Sequence, residues 1–342
     1  MIGLTQVPEE QKYKKTVNRI AFTMLIFFGM FMLVGGMTAL LMFLTGYLPT
    51  VPGKVVYELC YGFLYIAMFV VPVFFFRLIV PREERAPILT DWQMPRETPL
   101  YIFVAIAFTG AAAYLNSVLS DLFFEYSGAT EELIGSSVSL TSNYQLVLMV
   151  FTTAVAPAFA EELLFRGVVL GNLLPYGRTT AVLGSAVLFG LMHQNIGQFL
   201  YTMVAGVILG YMYVQTRSIW PCVLTHFCNN FLSIIYTAIG ERVPEVRGYA
   251  LIYVIELTVL ALGLVSGVIL INRGKNRKKA LLQSGCFERE AEPDPEHAAV
   301  ALPWRRRVRL FFTAPMIIFV SLCVAQALTM VALLMLVGML PV

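Results

Sequence analysis

About nine apolar stretches dominate the chain, at 20–45, 55–79, 99–119, 145–170, 180–196, 198–215, 219–239, 249–272 and 310–340. Each comes near the roughly 20 residues that carry a helix across a bilayer. Stretches of this length and apolarity make the expected fold class all-α: a polytopic transmembrane helix bundle. Composition agrees, with 58% hydrophobic and 13% charged residues, where a soluble domain carries about 25% charged residues. No basic surface interleaved with aromatics points to nucleic acid. The cysteines Cys60, Cys222, Cys228, Cys286 and Cys323 form no CxxC pair, so neither a disulfide framework nor a thiolate zinc site is indicated.

Basic residues in the loops set the orientation. Lys12, Lys14, Lys15 and Arg19 precede the first span, Arg77, Arg82, Arg85 and Arg96 flank the loop after the second, and a further basic group lies between Arg273 and Arg309. Residues 120–144 carry none. A cytoplasmic N-terminus and an outside C-terminus satisfy this pattern. The chain then divides into 1–144, three spans and an outer amphipathic segment; 145–240, four spans; and 241–342, two spans around a charged loop at 273–308 that is expected to touch anionic headgroups. Gly206/Gly210 and Gly263/Gly267 have the GxxxG spacing of close helix packing, expected within one chain. Glu58 and Glu256 belong to no motif and are expected near the interface or paired with a neighbouring helix.

The fourth span contains Ala160-Glu161-Glu162-Leu163-Leu164-Phe165-Arg166-Gly167. A charge at the centre of a membrane helix costs about 2.5–3.5 kcal/mol on insertion scales and is usually paired or functional. Glu162 and Arg166 stand at i,i+4, with the Glu on the N-terminal side, the spacing of a helical ion pair. Glu161 projects about 100° away. It has no partner in its own helix, which suits a general base. Two of the three histidines lie in nearby spans, in Phe189-Gly190-Leu191-Met192-His193 and His226-Phe227-Cys228-Asn229-Asn230. At 1.5 Å per residue, Glu161 lies roughly 13 Å from the cytoplasmic end of its span, His226 roughly 11 Å, and His193 and Asn230 roughly 17–20 Å. Four polar groups on three helices therefore fall at similar depth. Pro157, four residues before Glu161, removes a helical hydrogen bond and is expected to kink the helix there.

The set Glu161-Glu162-x-x-x-Arg166, Phe189-x-x-x-His193 and His226-x-x-x-Asn230 resembles the three motifs of the CPBP family. That family groups the type II CaaX prenyl endopeptidases with bacterial Abi proteins of bacteriocin processing and self-immunity. The resemblance covers about residues 145–240. It implies that this segment is an intramembrane protease core hydrolysing a peptide bond of a membrane protein or peptide. Glu161 and His193 would activate the water, His226 and Asn230 would stabilise the oxyanion, and Glu162 and Arg166 would support them. The 273–308 loop and the last span are departures from the shared pattern.

Two His and one Glu (His193, His226, Glu161) also make a legitimate zinc set. There is no HExxH, and Asn230 suits an oxyanion better than a metal, so no cofactor is favoured. Rival readings are a transporter using the buried charges as an ion path and a non-catalytic immunity or scaffold protein. Expected partners are the bilayer and a membrane-associated substrate. The expected location is a bacterial plasma membrane.

Overall fold

The computed structural model describes residues 9–46, 51–92, 94–127, 143–283 and 302–338. The described residues contain helices and connecting turns but no strand. In chain order the helices are α1 (Glu9–Gly46), α2 (Val51–Ile79), α3 (Thr98–Ser127), α4 (Asn143–Tyr176), α5 (Arg178–Met192), α6 (Ile196–Thr216), α7 (Trp220–Arg242), α8 (Glu245–Gln283), α9 (Trp304–Phe311) and α10 (Ala314–Gly338). Among the described residues, 8 helices are long and apolar enough to cross a membrane, and the protein is an integral membrane protein. Most of the expected outer segment, residues 128–142, and the middle of the charged loop, 284–301, which includes Cys286, lie outside the described residues. The other cysteines are free thiols.

Three elements differ from the sequence expectation. The fifth span is only 15 residues long, about 22 Å at 1.5 Å per residue, short of a hydrocarbon core of about 30 Å. It stops at His193 because Gln194 turns left-handed, with φ 51°, and Asn195 opens α6 by accepting a 2.8 Å hydrogen bond from the Gly197 N–H, an N-cap. The fourth span continues to Tyr176. Within it, the α-helical Ala156–Glu162 is flanked by π-helical stretches at Val150–Val155 and Leu163–Leu170. The last span starts at Ala314 instead of 310, because residues 310 and 311 close a separate short helix, the basic Trp304–Phe311, formed largely from the end of the charged loop.

Small residues let the bundle close. A Cβ on Gly206 of α6 would stand 2.9 Å from the Ala186 Cα of α5, and one on Gly263 of α8 would stand 2.3 Å from the Ala107 Cβ of α3. Both GxxxG motifs thus pack helices of one chain, as expected. The apolar core runs through α1, α2, α4, α5, α6, α7 and α10, with Tyr13, Phe27, Phe69, Leu164, Phe165, Met212 and Phe319 fully enclosed.

One end of the bundle gathers the basic residues. Lys15 and Arg19 of α1 pair with Glu84 at 2.8 and 2.6 Å. Their hydrogen bonds hold the Glu84 carboxyl below its ordinary range. The loop after α2 is stitched to the same end: the Ala86 N–H donates to Asn172 Oδ1 at 2.9 Å, the Ile219 N–H to the Leu89 carbonyl at 2.9 Å, and Trp220 Nε1 to the Thr90 carbonyl at 2.8 Å. This clamp fixes the ends of α4 and α7, the two helices that carry the buried Glu161, Glu162, Arg166 and His226.

Candidate functional site

The ion pair expected from spacing forms. Arg166 Nη1 donates to Glu162 Oε1 at 2.9 Å, and both side chains are buried. A second guanidinium nitrogen reaches the Gly206 carbonyl at 3.4 Å, and the guanidinium carbon lies 4.8 Å from the centre of the Phe189 ring. The charge is thereby held by a carboxylate, a carbonyl and an aromatic face, each a favourable partner in a dry interior.

His226 joins this pair. Its Nδ1 lies 2.8 Å from Glu162 Oε1, so it donates to the carboxylate. Its Nε2 faces Glu161, 3.9 Å from Oε2. Glu162 therefore orients His226 as well as neutralising Arg166, the arrangement by which a carboxylate fixes the tautomer and direction of an imidazole. His193 is oriented by its own helix: Nδ1 stands 2.9 Å from the Phe189 carbonyl, leaving Nε2 for the cavity. The Phe189 ring sits edge-on to both imidazoles, at 5.2 and 6.0 Å.

Glu161 has a partner from another helix. Tyr65 of α2 donates its hydroxyl to Glu161 Oε1 at 2.5 Å. No protein hydrogen bond reaches Glu161 Oε2 among the described residues. Tyr65 was not among the sequence-derived candidates. It lies 96 residues from Glu161 in sequence, inside an ordinary apolar span. A weak signal was available in the four-residue spacing of Tyr57, Tyr61, Tyr65 and Phe69 on one face of α2, and these rings pack on one another at 6.4, 6.0 and 5.2 Å.

Asn230 is tied to the proline. Pro157 has no N–H to offer the Thr153 carbonyl four residues earlier, and Asn230 Nδ2 donates to that carbonyl at 3.0 Å. Asn230 Oδ1 lies 3.3 Å from Asn229 Nδ2. One Asn230 amide hydrogen is thus committed to α4 and a second remains.

These groups surround a single cavity of about 400 Å³. Glu161, His193, His226 and Asn230 all line it, while Glu162 and Arg166 lie behind. The remaining wall is mainly hydroxyls and amides, including Tyr61, Thr109, Gln198, Tyr201, Thr202 and Asn229. Tyr61, Tyr65, Ala105 and Thr109 come from α2 and α3, so the wall is not confined to 145–240. Neither Glu58 nor Glu256 reaches it. Among the described residues no three His, Cys, Asp or Glu side chains are placed to hold a metal ion. Chemically the arrangement offers one carboxylate oxygen and two imidazole nitrogens facing a polar space within apolar helices.

Comparison with known proteins converges on the same stretch. Residues 143–232 match the family described as type II CAAX prenyl endopeptidase Rce1-like. A Bacillus subtilis (strain 168) protein named "Putative membrane peptidase YdiL" is 26% identical over 153 residues, which span 44% of this chain and 60% of that protein. The match therefore covers less than two thirds of the relative's length. No solved structure matches the chain.

Proposed function

We propose, on the premise that residues 143–232 are a CPBP-family, Rce1-like segment, that the protein is an intramembrane endopeptidase. Its substrate is a membrane-associated protein or peptide, and water is the nucleophile. The observation that carries this reading is the convergence of Glu161, His193, His226 and Asn230, from three helices, on one polar cavity inside an apolar bundle.

Each residue has a role that its contacts favour. Tyr65 holds Glu161 Oε1, so Oε2 is the oxygen that takes a proton from water as the hydroxide oxygen attacks the peptide carbonyl carbon. His193, oriented through Nδ1, offers Nε2 to the same water. His226, anchored through Nδ1 to Glu162, presents an Nε2–H to the developing oxyanion when doubly protonated. The free amide hydrogen of Asn230 is the second donor. When the C–N bond breaks, the proton held by Glu161 passes to the leaving amine. Donors aimed at an oxyanion in a low-dielectric site are typically worth about 10²–10³ in rate each. The pair Glu162 and Arg166 carries compensated charge and supports His226.

In this proposal the mechanism runs without a metal, because Asn230 suits an oxyanion better than a metal ion. Orientation follows the loop charges: the end that gathers the basic residues faces the cytoplasm.

The test compares the membrane-derived peptides of cells carrying the wild-type protein with those of cells carrying Glu161→Gln at equal abundance. The proposal expects peptides with new termini in the wild type alone. Identical peptide sets from both would remove the hydrolase reading.

A further inference from the structure

Helix α9, Trp304–Phe311, is not used by the site, and its two faces have different tasks. The inner face clamps the bundle. Leu310 is buried. Arg306 makes a two-point hydrogen-bonded pair with Glu10 at 2.7 and 2.9 Å. Arg307 donates to the Tyr176 carbonyl at the end of α4.

Among the described residues the ring contacts of the outer face are local to the helix: the Arg307 guanidinium carbon lies 5.9 Å from the centre of the Trp304 ring, and the Phe312 ring meets that of Phe311. At 100° per residue, Trp304, Val308 and Phe312 form one stripe, and they are 44%, 37% and 52% exposed. Arg305 and Arg309 form the adjacent stripe, both exposed, and neither makes a hydrogen bond or ion pair with any described residue. α10 enters its apolar span at Ala314, only three residues beyond Phe311, so α9 lies at the boundary between water and hydrocarbon. An apolar stripe beside a basic one, on a short helix at that boundary, is the pattern of a helix lying in the headgroup region.

We propose that the outer face of α9 is a binding surface for anionic phospholipid headgroups. Trp304, Val308 and Phe312 would enter the acyl boundary, and Arg305 and Arg309 would take the phosphate. Charge decides for lipid over a protein partner: the two arginines have no counter-charge among the described residues, and they lie beside an apolar stripe next to the start of the apolar α10. The proposal concerns binding alone and stands independently of the hydrolase reading.

Trp304 reports on the site directly. The full-length protein with Trp92→Phe and Trp220→Phe keeps Trp304 as its single tryptophan. It is reconstituted in phosphatidylcholine vesicles, and its fluorescence is quenched by increasing fractions of brominated phosphatidylglycerol or brominated phosphatidylcholine. Each basic residue near an anionic surface is worth about a 5-fold preference, so the anionic lipid should half-quench at a roughly 25-fold lower fraction. Arg305→Gln with Arg309→Gln should bring the two lipids to equal quenching, while Arg305→Lys with Arg309→Lys should keep most of the preference. Equal quenching by both lipids in the single-tryptophan parent, no quenching by either, or a preference that survives the double Gln variant would overturn the proposal.

Discussion

At the scale of single residues, the site depends on where each carboxylate presents its second oxygen. Glu162 Oε1 takes both Arg166 and His226, and Glu161 Oε1 takes Tyr65; the Oε2 of each has no protein partner among the described residues, and of the two only Glu161 lines the cavity. Hydrogen bonds to charged groups are worth about 1.5–3 kcal/mol. Tyr65→Phe is therefore expected to lower the cleavage rate at saturating substrate by about 10- to 100-fold, with KM little changed, because the ring still fills its place. A rate within twofold of wild type would show that Tyr65 does not position Glu161. The Glu162–Arg166 pair was legible from its four-residue spacing alone. Tyr65 was not, because a tyrosine in an apolar span has no local pattern that shows which residue across the bundle it meets. The partner of His226 was equally hidden. Its spacing to Asn230 showed a shared face, whereas the contact with Glu162 bridges 64 residues.

At the scale of elements, the short α5 and the interrupted α4 place the chemistry. α5 ends about 22 Å from its start, so His193 stops inside the membrane. The π-helical turns on either side of Ala156–Glu162 shift the register around Pro157 and Glu161, as such bulges often do at functional positions. The spans themselves were legible from hydropathy, and Pro157 flagged the irregularity. The π-helical turns and the end of α5 at His193 were not, since they follow from how the chain packs and turns, which composition does not record. The α5–α6 pair rests on Gly206. A side chain there meets the Ala186 backbone and also disturbs the carbonyl that receives Arg166. Overpacking of this kind costs about 1–3 kcal/mol. Gly206→Val should lower the thermal midpoint of the detergent-solubilised protein by several degrees, and an unchanged midpoint would mean that the helices adjust freely.

At the scale of the whole molecule, charge orders the bundle. Salt bridges and hydrogen bonds at one end join α1, the loop after α2, the Tyr176 end of α4, the start of α7 and α9, and Arg305 and Arg309 of α9 lie at the same end. The positive-inside tendency then predicts a cytoplasmic N-terminus and an external C-terminus. Reporter fusions that are active on only one side of the membrane check this: a cytoplasmic reporter should work on the N-terminus and fail on the C-terminus, and the reverse would invert the bundle. The family match extends over residues 143–232, yet the cavity wall includes α2 and α3. The parts of the chain outside the shared segment thus shape the cavity as well.

The central claim is that Glu161 delivers water to a peptide bond inside the bundle. Its most direct measurement is cleavage of a peptide found in the cellular comparison by purified wild-type protein and by Glu161→Gln, at matched thermal midpoint and with a chelator present throughout. Steady cleavage by the wild type and none above background by the variant is the expected result. Cleavage by Glu161→Gln at a rate near wild type, or a wild type silenced by the chelator and restored by zinc, would contradict it.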